Sequence, residues 1–101
     1  MKKLIGHCTV DSGQILLTDP CYLKDFINDE YTYDTNELNY SYSGACQASQ
    51  KNGSGELYFN KSKIKGAGVC VESGWGDGFY PVYVELNKDN RVKRAIIEFI
   101  K

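Results

Sequence analysis

Gly74-Trp75-Gly76-Asp77-Gly78 runs straight into Phe79-Tyr80-Pro81-Val82-Tyr83-Val84-Glu85-Leu86, and this stretch decides the fold class. Three glycines spaced by two punctuate a loop. The residues after them alternate. Val82, Val84 and Leu86 fall on one side of an extended chain, turned inward. β-branched and aromatic residues suit a pleated, half-buried surface. Phe79–Leu86 is therefore predicted to be a strand, entered through a glycine-rich corner.

The same period recurs on both sides. Asn87–Asn90 is a turn, and Arg91–Ile100 reads as a last strand with Ala95, Ile97 and Phe99 on one face. Upstream, Gly66–Ser73 places Ala67, Val69 and Val71 together. Lys51-Asn52-Gly53-Ser54-Gly55 carries an Asn-Gly hairpin signal, which joins a strand over Asn39–Gln47 to a returning strand over Glu56–Asn60. At the start, Lys3–Val10 alternates, and Asp11-Ser12-Gly13 is a turn. Gln14–Thr18 has a continuous apolar centre, consistent with burial on both faces. Asp19-Pro20 breaks that strand. Leu23–Asn28 reads as a short helix, and Asp29–Leu38 as the longest loop. The expectation is a single mainly β domain over residues 1–101. Its form is a small antiparallel sandwich or partly open barrel of six to seven strands with one short helix, the last strands forming a meander.

Composition bounds the function classes. The 101 residues include eight Tyr, four Phe, one Trp, ten Gly and two Pro, which fits a strand-and-turn chain. Twelve basic residues against thirteen acidic ones give a net charge of −1, so nothing in the balance calls for nucleic acid or an anionic membrane. The apolar stretch after Lys2-Lys3 is too short for a signal peptide, and no run reaches a membrane span. A cytoplasmic protein is expected, with Cys8, Cys21, Cys46 and Cys70 as thiols that pack as small hydrophobes. Their wide spacing lacks the close pairs of a four-Cys zinc site, so no metal or other cofactor is expected.

Three segments carry a resemblance. Gly74–Tyr83 (GWGDGFYPVY), Val10–Gln14 (VDSGQ) and Asp19–Leu23 (DPCYL), with Ser41–Gln47 (SYSGACQ) beside them, resemble an uncharacterised family of small bacterial and phage proteins. That family shares a C-terminal G-x-G-D-G-x-Y-P-V-Y segment. The resemblance implies a fold and a candidate region, and no catalytic roles.

Chemistry is expected at that region. Glycines permit close approach to a ligand, Trp75, Phe79 and Tyr80 offer stacking surface, and consecutive turn amides can form an anion-binding nest. The plainer alternative is a tight turn whose aromatics fill the core. Asp11, Asp19 and Asp77 each sit at an expected turn, and if they converged they would bind a cation or share a proton. His7 reads as a partly exposed strand residue. Lys61, Lys63 and Lys65 alternate like a solvated edge strand. With Tyr40 and Tyr42 they could instead grip a phosphate-bearing ligand or single-stranded nucleic acid.

The candidate ligand-binding set is thus Asp11, Asp19, Trp75, Gly76, Asp77, Gly78 and Tyr80. The favoured function is a non-enzymatic binding domain for a small molecule, nucleotide-like in one version, or for a protein partner. A phage form could sequester or inhibit a host factor. The alternatives are a carboxylate- or metal-assisted hydrolase and a structural or regulatory interaction module. A monomer or small homo-oligomer is expected.

Overall fold

A computed structural model describes residues 2–31, 37–60 and 62–100. Among the described residues, six strands form two three-stranded antiparallel sheets, and neither closes into a barrel. Contacts divide the chain into two units. One comprises Met1–Gly13 and Ser73–Lys101, and the other Gln14–Glu72. Among the described residues, no helix is long and apolar enough to cross a membrane.

The first unit is built from β1 (Lys2–Val10), β5 (Gly78–Leu86) and β6 (Val92–Ile97), in the order β1-β5-β6. Alternation holds through the middle of β5, but Leu4, expected on one face with Cys8 and Val10, lies on the opposite face, and Leu86, expected inward, is exposed beyond a register shift. Cross-strand partners share a face, so Cys8 opposite Tyr80 and Val84 opposite Ala95 define one side, on which Tyr80 and Val84 are buried. The other side carries His7 opposite Pro81, Thr9 opposite Phe79, and Leu4 and Ile96 opposite Tyr83. A bulge between Leu4 and Gly6 breaks the period of β1. The β5–β6 turn is held by Asn87, whose side-chain oxygen accepts from the Asp89 and Arg91 amides at 2.9 and 3.0 Å. The expected meander is confined to this hairpin, because β4 (Lys65–Glu72) belongs to the other sheet.

Pro81 sits in the central strand, where a missing N–H would normally break the ladder. In an antiparallel pair a residue's N–H and C=O point the same way. The Pro81 carbonyl accepts from Glu98 N at 3.3 Å, so its absent N–H also faces the β6 side. Regular β5–β6 pairing ends one residue earlier, at Val82 opposite Ile97. The proline therefore stops β6, and Glu98–Ile100 leaves the sheet beside it.

The second unit orders β2 (Gln14–Leu17), β4 and β3 (Ser54–Tyr58) as β2-β4-β3. β2 is an edge strand with Leu17 exposed, which corrects the expectation of burial on both faces. In β4 the buried residues are Ala67, Gly68 and Cys70, while Val69 is exposed. Gly66 and Ala67 fall in the register shift opposite Leu57 and Tyr58, so Ala67 is buried apart from the face that Val69 and Val71 still share.

The largest correction is at Asn39–Gln47, where a strand was expected: Asn39 and Ser41 make only isolated bridges, and from Tyr42 onward the chain is helical. Helix α1 (Tyr42–Cys46) continues into a π-helical turn (Gln47–Lys51). Ser41 caps it, its hydroxyl accepting from Gly44 N at 3.0 Å. The inward residues are Ala45 and Ala48, small enough to escape a search for bulky apolar spacing. They join Tyr40, Leu57, Ala67 and Cys70 in the core. Asn52-Gly53 is then a helix stop rather than a hairpin. Gly53 adopts φ +80° and its N–H bonds Ser49 O at 3.0 Å. The expected helix at Leu23–Asn28 is replaced by a 3-10 turn over Pro20–Asp25, started by Pro20 behind an Asp19 cap.

Tyr40 is buried and its hydroxyl lies 2.8 Å from Thr18 Oγ1, so it offers no stacking surface. Lys63 has φ +56° outside any strand, which breaks the proposed lysine stripe; Lys61 lies outside the described residues, as does part of the expected Asp29–Leu38 loop.

All four cysteines are free thiols: Cys46 and Cys70 buried, Cys8 half-buried and Cys21 exposed. Burial first, and the neighbouring Cys46 second, push the Cys70 thiol up to about 11, against a smaller opposing hydrogen bond at Val71. With a raised native value, the unfolded chain releases the proton first. This contribution to stability is whole below about pH 9 and is lost as pH rises toward 11. The stability difference between the wild type and Cys70→Ala is expected to shrink over that window in urea titrations. A difference that stays constant or grows would contradict the burial argument. Near neutral pH a thiol reagent should modify Cys21 first, and Cys46 and Cys70 only on unfolding.

Candidate functional site

The corner at Ser73–Gly78 is tied to the end of β1 within the first unit. Ser73 is fully buried, and its N–H donates to Gly13 O at 2.9 Å. Gly13 N donates back across the same gap to Asp77 Oδ1 at 2.9 Å. The Gly76 carbonyl accepts from both the Ser73 hydroxyl and the Tyr80 hydroxyl, the latter at 2.8 Å. Gly74 and Gly76 have φ +63° and +85°, which side chains resist. A Cβ at Gly74 would also press on Ile100 Cδ1 at 3.0 Å and Phe99 Cβ at 3.2 Å. The corner is thus a braced loop.

The bracing decides which residues remain outward. Tyr80 is buried, and its ring meets Phe99 edge-on at 5.1 Å. Trp75 and Phe79 do not fill the core: they are 72% and 66% exposed. Phe79 stacks flat on His7, with ring centroids 4.5 Å apart and planes within 2°. His7 is an exposed strand residue, as its sequence position implies.

Two of the three aspartates accept from backbone amides. Asp77 holds Gly13, and Asp19, in the second unit, accepts from Cys21 N at 2.9 Å. Asp11 is exposed beside Ser12. Among the described residues of either unit, no three His, Cys, Asp or Glu side chains gather closely enough to hold a metal ion.

Where Glu98–Ile100 leaves the sheet, a groove of about 280 Å³ opens along β5. Phe79, Pro81 and Tyr83 line one side, and Glu98 and Phe99 the other. Lys2 Nζ bonds the Glu98 carboxylate and sits 4.5 Å from the centre of the Tyr83 ring. Further along, Arg94 pairs with Glu85. A hollow of about 310 Å³ in the second unit is also lined by polar side chains, but these hold α1 in place. Asp29 accepts from Ser43 N at 2.8 Å, and Asn60 from Tyr40 N at 2.9 Å.

A family model described as a protein of unknown function, DUF4241, matches residues 7–97. The chain belongs to this family. The DUF4241 match takes in the braced corner and the segments that carried the sequence resemblance. Lys2, Glu98 and Phe99 fall outside it. No curated protein and no solved structure matches the chain.

Sequence reasoning passed over Lys2 and Glu98, and took Tyr83 only as the end of the resembling segment and Phe99 only as a strand residue sharing a face with Ala95 and Ile97. The alternation of β5 already turned Phe79, Pro81 and Tyr83 away from the inward valines, so half the groove was open to inference. The pairing of Lys2 with Glu98 joins residues 96 positions apart and leaves no local signal.

Proposed function

We propose that this protein is a non-enzymatic binding domain. Its recognition surface is the outward face of the β1-β5-β6 sheet together with the Trp75 corner, and its partner is a protein. The observation that carries this reading is the display of Trp75 and Phe79 in water on a frame too braced to fold them away. Leu4 and Ile5 extend the exposed apolar surface, each more than half exposed. Aromatic side chains of this kind are enriched at interface anchors. A rigid frame lowers the ordering cost of association.

The candidate residues take different parts in this surface. Trp75 makes contact. Asp77, Gly76, Gly78 and Tyr80 shape the corner, and Asp11 borders it. Asp19 caps its own turn. The hydrolase alternative loses support because Asp77 and Asp19 are engaged by backbone amides.

A photo-crosslinking amino acid tests this when placed at position 75 or 79 in the cells that make the protein. One discrete adduct is expected at both positions and none at position 88, in the turn between β5 and β6. The same adducts from position 88, or none from 75 and 79, would reject the assignment.

A further inference from the structure

We propose that the groove beside Pro81 receives a lysine or arginine side chain of the protein partner, and that Lys2 occupies the cation position as an internal stand-in. This rests on the binding-domain reading above and names the chemistry of the partner. The Lys2 ammonium lies between the face of Tyr83 and the carboxylate of Glu98. An aromatic face attracts a cation through its quadrupole, and a carboxylate adds a charge-assisted hydrogen bond. Both groups belong to the groove wall. The remaining walls are apolar: Phe79, Pro81 and Phe99 can cover the aliphatic stem that carries such a charge.

Lys2 is suited to being displaced. It is exposed, and an exposed ion pair contributes little to folding. The Glu98 hydrogen bond, opposed by desolvation and aided by the Glu98 charge, raises its ammonium above the ordinary lysine value, so the seat stabilises the charged form. An incoming cation would make the same two contacts while Lys2 returns to water. Glu85, the other acidic residue on this face, is held by Arg94, which leaves the Glu98 corner to the exchange. A tethered competitor acts at an effective concentration in the millimolar range, so removing it should strengthen binding of a free cation.

The test titrates N-acetyl-lysine methylamide and its uncharged isostere, N-acetyl-norleucine methylamide. The proteins are wild type, Lys2→Ala and Lys2→Ala/Glu98→Gln, followed by the ring-proton NMR signals of Tyr83 and Phe99. Lys2→Ala is expected to bind the lysine probe about threefold more tightly than wild type, the gain that removal of a weak exposed internal competitor allows. It should prefer that probe over norleucine about fivefold, a preference that Glu98→Gln abolishes. Equal affinity of wild type and Lys2→Ala overturns the stand-in role. Equal binding of the two probes overturns the cation inference while leaving the groove a binding site. Absence of saturable shifts from both probes in all three proteins overturns the groove as a recognition surface altogether.

Discussion

Gly44→Ala is expected to destabilise the protein by about 3 kcal/mol or more, at the upper end of what overpacking causes. A Cβ at Gly44 would fall 1.9 Å from Asn39 O, 2.8 Å from Asn39 N and 2.9 Å from Asn39 C. These are backbone atoms next to the Ser41 cap, so no side chain can swing aside. Either α1 shifts off the sheet or the capping turn opens, and both expose the cluster around Tyr40, Ala45 and Ala48. Against the roughly 5–15 kcal/mol that holds a typical domain, the loss is large. Urea unfolding followed by circular dichroism measures it. Gly6→Ala is the control, because nothing lies within 4 Å of its added Cβ. The expected change there is within about 0.5 kcal/mol. Comparable midpoints for the two variants would mean that α1 does not pack against its own capping turn.

Gln14→Leu is expected to cost about 2–3 kcal/mol, since buried polar groups lose their partner without gaining water. Gln14 Oε1 accepts from Ser49 Oγ at 2.6 Å and from the Cys70 thiol at 3.2 Å. Gln14 Nε2 donates to Cys46 Sγ at 3.4 Å. One amide thus joins edge strand β2, central strand β4, α1 and the π-helical turn that continues it. Leucine matches the size and removes every polar contact. Adding Ser49→Ala should cost less than the two single changes summed, with a coupling of about 1 kcal/mol, because each then lacks a partner to lose. Strict additivity, or a neutral Gln14→Leu, would show that the amide does not bind these helices to the sheet.

Both variants lie where the sequence was hardest to read. β1, β5 and β6 were legible because bulky residues alternate with polar or outward ones, and a sheet with one buried face enforces that period. α1 was not, because Ala45, Ala48 and Gly44 mark its contact face by smallness, while Tyr40 and Tyr42 imitate strand alternation. Asn52-Gly53 carries the same positive-φ chemistry in a hairpin as at a helix end, and only the preceding helix decides between them. The corner at Gly74–Gly78 was visible as a glycine-rich loop. Its bracing was not, since Gly13 and Asp77 meet across 64 residues.

The recognition face itself is tested most directly by native mass spectrometry of the protein isolated from the cells that produce it, beside a Trp75→Ser/Phe79→Ser variant isolated in parallel. These side chains are mostly exposed, so the variant should stay folded and lose only about 1 kcal/mol with the His7 stack. The account predicts a stoichiometric protein adduct on the wild type and a bare variant. A wild type that emerges bare, or a variant that keeps the same adduct, would contradict it.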